Sequence, residues 1–202
     1  PDVETEIHFW PSYTYNPFRW LKYRSFFNSS RAVCFVSNGD GYCSPPLRFN
    51  SVYLMMHIFR HIYNEGIGLR QLLDYYYLLR KLSLSDRVWA MATLRKMGLG
   101  KFTAAVMWVI REVFMPSSQS QTEGNDFLLF SPDEKSGRFL LDEIEISGNF
   151  GKWDKRLHQK KGYVGKLVKN LARLTTFYSL SPSEVLWAPF WKAWHWCWRQ
   201  SV

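Results

Sequence analysis

A mainly α fold with a small β element (α+β) is predicted: an N-terminal strand or short sheet followed by a multi-helix body. Two patterns carry that prediction. From about Phe49 onward apolar residues recur at helical spacing, whereas the opening DVETEIHF alternates with period two, setting Asp2, Glu4, Glu6 and His8 against Val3, Thr5, Ile7 and Phe9. The 202 residues are 47% hydrophobic, enough to bury the core of one domain, or of one domain with a smaller lobe. A lone strand cannot satisfy its own backbone, so DVETEIHF must pair with residues 33–37 or with sequence outside this chain.

The elements then follow in order. Pro11 and Pro17 bracket a loop, and PFRWLKYRSFF reads as a short helix with Pro17 in its first turn. Residues 32–46, AVCFVSNGDGYCSPP, hold a brief β-like run and a Gly-Asp-Gly turn, the signature of a short strand or hairpin. Helices are expected near 50–64, 68–82, 86–97, 100–115, 134–146, 163–178 and 182–199. Gly66 and Gly68 can stop the first of these and turn into the second, Ser85 or Asp86 can cap the third, and Gly98 and Gly100 separate the third from the fourth. Pro116 ends the fourth, and PSSQSQTEGND opens a polar loop near 116–133 that is the best candidate for a mobile insertion. Residues 1–46 and the helical lobe 47–202 form the expected division of the chain.

Charge and composition restrict the function classes. The net charge of +9 is concentrated between Lys152 and Arg173, where Lys152, Lys155, Arg156, Lys160, Lys161, Lys166, Lys169 and Arg173 oppose only Asp154. Such a run can attract phosphate or nucleic acid; a solvated helix face is the preferred reading, since an Arg-rich base-reading pattern is missing. Cys34, Cys43 and Cys197 contain no CxxC pair, which argues against a disulfide framework or a zinc knuckle. No apolar stretch is long enough to cross a bilayer and no leader pattern opens the chain, so a cytoplasmic protein is the default expectation. An apparent strand standing directly after Pro1 suggests the later part of a longer protein.

Chemistry-bearing residues cluster in two helices. HIFRHIYNE sets His57, His61 and Glu65 at i, i+4 and i+8, one narrow stripe that Arg60 and Asn64 extend. Two histidines one turn apart and an acid are acceptable ligands for a divalent ion, but the acid stands outside the pair, unlike HExxH, and a hydrogen-bonded seam facing a cleft is preferred. In LRQLLDYYYLLRK, Arg70 and Asp74 stand at i and i+4. An ion pair worth a few tenths of a kcal/mol is the preferred reading, with a phosphate held by Arg70 and oriented through Asp74 as the alternative.

The run YLMMHIFRHIYNEGIGLRQLLDYYYLLR, with TEIHFWPS upstream, GNFGKWDKR at 148–156 and the aromatic tail, resembles a bacterial family described as uncharacterised nucleotidyltransferases, relatives of the DNA polymerase β type transferases. The likeness covers most of the chain, and HxxxH followed by EGIGLRQLLD is its most specific part. The resemblance implies a small sheet carrying a Gly-Ser turn, a pair of acids and a third acid on a later strand, which together hold two divalent ions, Mg²⁺ or Mn²⁺, on a nucleoside triphosphate. Glu6 of TEIHF matches the third acid and is thereby the implied catalytic and metal-binding residue, with 1–46 as the remnant of that sheet region. His8, His57, His61, Arg70 and Asp74 are the implied candidates for lining the cleft around triphosphate or acceptor. No Gly-Ser dipeptide occurs in the chain, so the parent protein is expected to be the enzyme and this chain alone to be inactive.

The leading expectation is the C-terminal part of a nucleotidyltransferase-like protein that moves a nucleotidyl group from an NTP to an unknown acceptor. The alternative is a non-catalytic helical module that binds nucleic acid through 152–173 or a protein partner through the Trp-rich end SEVLWAPFWKAWHWCWRQ. Burial of that end against the protein's own helices is preferred over a partner or a membrane surface. A hydrolase built on His57, His61 and Glu65 ranks last, having no third histidine or nucleophile at a recognisable spacing.

Overall fold

The computed structural model describes residues 12–30, 36–37, 43–64, 66–115, 125–148 and 175–200. Seven α-helices make up these residues: α1 Pro17–Ser30, α2 Leu47–Asn64, α3 Leu69–Lys81, α4 Leu84–Lys96, α5 Gly100–Phe114, α6 Glu134–Ser147 and α7 Pro182–Gln200. The expected α+β class is therefore corrected to an all-α one. The strand pairing among the described residues is a two-residue antiparallel ladder, Val36–Ser37 with Cys43–Ser44. Two residues per strand cannot present a face to a core, so every layer of the interior is helical. The expected strand DVETEIHF lies outside the described residues.

The helices start and stop where short-range chemistry dictates. Asn16 caps α1: its Oδ1 accepts from the amides of Phe18 at 2.9 Å and Arg19 at 3.2 Å, with Pro17 at the first helical position. Gly66, at φ +94°, closes α2 by donating its amide to His61 O at 2.8 Å. The cap of α4 is Ser83, two residues before the expected Ser85; its Oγ accepts from Asp86 N at 3.1 Å and donates to Asp86 Oδ2 at 2.7 Å. Asp133 caps α6 through Ser136, accepting from its amide at 3.2 Å and its hydroxyl at 2.9 Å. The expected helix 163–178 falls largely outside the described residues, which resume just before a 3₁₀ turn, Phe177–Ser179.

The core centres on α2 and α5. Val52, Met55, Met56, Phe59, Ile62 and Tyr63 form the buried stripe of α2, which packs on α3 and α4. Helix α5 is buried nearly all round, from Phe102 through Ile110 apart from Ala104, and rests on α6 along the most extensive helix contact among the described residues. Gly137 makes that approach possible: a Cβ there would lie 2.5 Å from Trp108 Cε3. Tyr63 and Phe102 connect the layers, Phe102 meeting Phe59 edge-on at 4.9 Å and Tyr63 packing on Phe177 at the same distance. From the polar stretch 116–133, residues 125–132 lie on the body, where Asp126 O accepts from Arg87 Nη1 at 2.6 Å and Phe127 packs on Tyr76.

Candidate functional site

The described chain begins at Ser12, just after the segment carrying Glu6 and His8, and passes between α2 and α7. Its anchor is buried and polar. Glu184 Oε2 accepts from Tyr15 N at 2.8 Å, while Arg19 Nη1 lies 3.5 Å from Glu184 Oε1, and Arg19 donates to Ser181 Oγ at 2.7 Å and to Gly98 O at 3.0 Å. One carboxylate and one guanidinium thus tie residues 13–19 to the start of α7 and the end of α4. Burial raises the Glu184 carboxyl above the ordinary range, outweighing the opposing pull of Arg19 and of the Tyr15 and Asn16 amides.

Above this anchor two cations converge on the Tyr13–Tyr15 loop. The Arg60 guanidinium of α2 lies 3.1 Å from the centre of the Tyr13 ring, and Lys192 Nζ of α7 lies 5.6 Å from that of Tyr15. The Tyr15 hydroxyl donates to Asn64 Oδ1, one turn along α2 from Arg60. Burial pushes the Tyr15 phenol up and so keeps it a neutral donor. Burial, and then the nearby charge of Arg60, lowers the Lys192 ammonium. Arg60 and Lys192 are like charges, each half-buried, and the Tyr13–Tyr15 loop itself carries no acid.

The same loop forms one wall of a groove of about 730 Å³, lined by Tyr13, Tyr15, Trp20, Trp187, Trp191 and Trp194, among others. Tyr13 stacks on Trp191 at 4.9 Å, and Trp191 in turn on His195 at 4.8 Å, which fixes the inner side of α7. Burial against the protein's own helices, the preferred expectation for the Trp-rich end, holds for Glu184, Val185, Ala188 and the inner face of Trp191; Trp194, Trp196 and Trp198 stay at least half exposed.

The sequence candidates are distributed unevenly. Glu6, His8, Glu65 and the basic segment 152–173 lie outside the described residues. His57 and His61 sit half-buried on α2 with ring centres 4.3 Å apart, edge to face, and His57 also approaches Tyr53 at 5.9 Å. Arg70 and Asp74 are exposed on α3 and form no ion pair with each other among the described residues, so the expected i, i+4 bridge is not made. Arg60 and Asn64, noted in the sequence only as extensions of the histidine stripe, are the polar residues of α2 that meet the loop, and Lys192 and Glu184 join them from α7. Glu184 had a local signal, the Ser-x-x-Glu of Ser181–Glu184 that marks a helix start. Lys192 had none.

Among the described residues no group of three or more His, Cys, Asp or Glu could hold a metal ion. What the described part of the site presents is two cations, Arg60 and Lys192, beside an aromatic groove. A family model described as "Uncharacterised nucleotidyltransferase" matches residues 2–115, a span that includes Glu6, the α2 seam and Arg60 and ends before α6 and α7. No curated protein and no solved structure matches the chain.

Proposed function

Since the chain belongs to the uncharacterised nucleotidyltransferase family, we propose that it supplies the helical, phosphate-gripping side of an enzyme that transfers a nucleotidyl group from an NTP to an acceptor. The observation that carries this reading is the convergence of Arg60 and Lys192 on the Tyr13–Tyr15 loop, directly after the segment that holds Glu6. In this role Arg60 offers planar, always-charged donors to phosphate oxygens, Lys192 adds a point charge, and Asn64 with Tyr15 holds the loop in register. Glu6 is assigned as the ligand of a divalent ion, Mg²⁺ or Mn²⁺, which would neutralise phosphate charge when bound. His8, His57, His61, Arg70 and Asp74 are assigned to contacts with the triphosphate or the acceptor.

Isothermal titration of the protein with a nucleoside triphosphate tests the reading. Binding is expected, and Arg60→Ala is expected to weaken it roughly tenfold or more, as loss of a charge-assisted contact does. Lys192→Met should weaken binding less, because Lys192 adds a single point charge without the planar, bidentate donors of a guanidinium. Affinity unchanged in both variants would reject Arg60 and Lys192 as the phosphate site.

A further inference from the structure

The outer face of α7 carries an aromatic stripe that borders the groove, Trp187, Phe190 and Trp194 being shared with its lining, and lies away from Arg60 and Asn64. At 100° per residue Trp187, Phe190, Trp194 and Trp198 fall within one stripe about 80° wide, running along the helix for three turns. These four side chains are 38%, 69%, 61% and 50% exposed. The stripe continues onto α1, where Phe18 meets Trp187 edge-on at 6.2 Å and Leu21 is also exposed. An apolar surface spread over two neighbouring helices exceeds the scattered exposure normal for a folded protein.

On α1 and α7 the exposed charges have one sign. Helix α1 carries no Asp or Glu, and its Lys22 and Arg24 are exposed. Helix α7 carries a single acid, Glu184, which is buried, and ends in exposed Arg199. Tryptophan is the side chain that settles at the boundary between headgroups and hydrocarbon, and basic residues around it supply attraction to anionic lipid. No described helix is long and apolar enough to cross a membrane, so contact would be with the surface plane. Tyr13 and Trp191, stacked on the inner side of α7, hold the helix to the body while Phe190 and Trp194 stay more than half exposed.

We propose that the α1–α7 face docks the protein on an anionic phospholipid bilayer, with Trp187, Phe190, Trp194 and Trp198 inserted at headgroup depth and Lys22, Arg24 and Arg199 over the phosphates. This stands apart from nucleotidyl transfer and survives its failure.

Sedimentation with phosphatidylcholine vesicles, with and without phosphatidylglycerol, tests it. The protein should pellet with the anionic vesicles and not the neutral ones, with a blue shift of Trp emission and release by salt. Trp194→Glu with Trp198→Glu, both at exposed positions, should abolish pelleting while leaving helical content unchanged. Lys22→Glu with Arg24→Glu provides a second probe away from the tryptophans and should weaken binding about fivefold or more per residue. Absence of pelleting, equal pelleting with neutral vesicles, or retention by single-stranded RNA without vesicle binding would each overturn the proposal.

Discussion

Single residues at the anchor carry the clearest pH signature. The Glu184 carboxyl is raised above its ordinary value of 4.5, so the folded state holds a proton there more tightly than the unfolded state. A raised acid contributes its stability below the unfolded value and loses it as pH rises through the folded one. Thermal unfolding followed from about pH 4 to about pH 8 should therefore show a fall in stability to which Glu184 contributes, and Glu184→Gln should flatten it. An unchanged slope in the variant would mean that Arg19 and the Tyr15 amide, not burial, govern the carboxyl. His57 and His61 show the limit of spacing as a guide at this scale: i, i+4 did bring their rings to 4.3 Å, yet the same spacing in Arg70 and Asp74 made no bridge. Spacing sets which side chains can meet. It does not decide whether two solvated ions will hold one geometry against their own rotamer entropy.

Helices were the legible elements. Their apolar periodicity and glycine stops identified α2 to α6 within a few residues, and two of the glycines read as stops, Gly66 and Gly98, take positive φ where a Cβ would be strained. What periodicity could not reveal was the closeness of α5 and α6. Their contact depends on Gly137 admitting Trp108, so Gly137→Ala should destabilise the protein by about 1–3 kcal/mol in chemical denaturation, as overpacking does. A loss under a few tenths of a kcal/mol would show that the Trp108 ring can move aside. Helix α7 combines two environments that its sequence lists as one aromatic run. Its first half supplies Glu184, Val185 and Ala188 to the interior, whereas the Trp194–Trp198 end remains in solvent because no described element lies beyond it.

On the scale of the whole molecule, the reading of a nucleotidyltransferase lobe predicts that an NTP stabilises the protein in a Mg²⁺-dependent manner, by about 2–3 kcal/mol near a hundredfold excess over the dissociation constant. Glu6→Ala should remove the Mg²⁺-dependent part and leave the part due to Arg60; a thermal shift unchanged in the variant would exclude Glu6 as the ion's ligand. Family membership was legible because EGIGLRQLLD and the histidine helix are contiguous and read directly. The α+β expectation did not hold for the described chain, because its strand pairing is a two-residue ladder, too short to present a face to the core, while the helices bury the interior. By itself the sequence determined the helices, their stops and the family, all of which depend on neighbours a few residues apart. Only the tertiary structure decided that Arg60 and Lys192, 132 positions apart, share one aromatic loop and that half of the tryptophan helix faces outward, since charge proximity and burial depend on packing between elements distant in the chain.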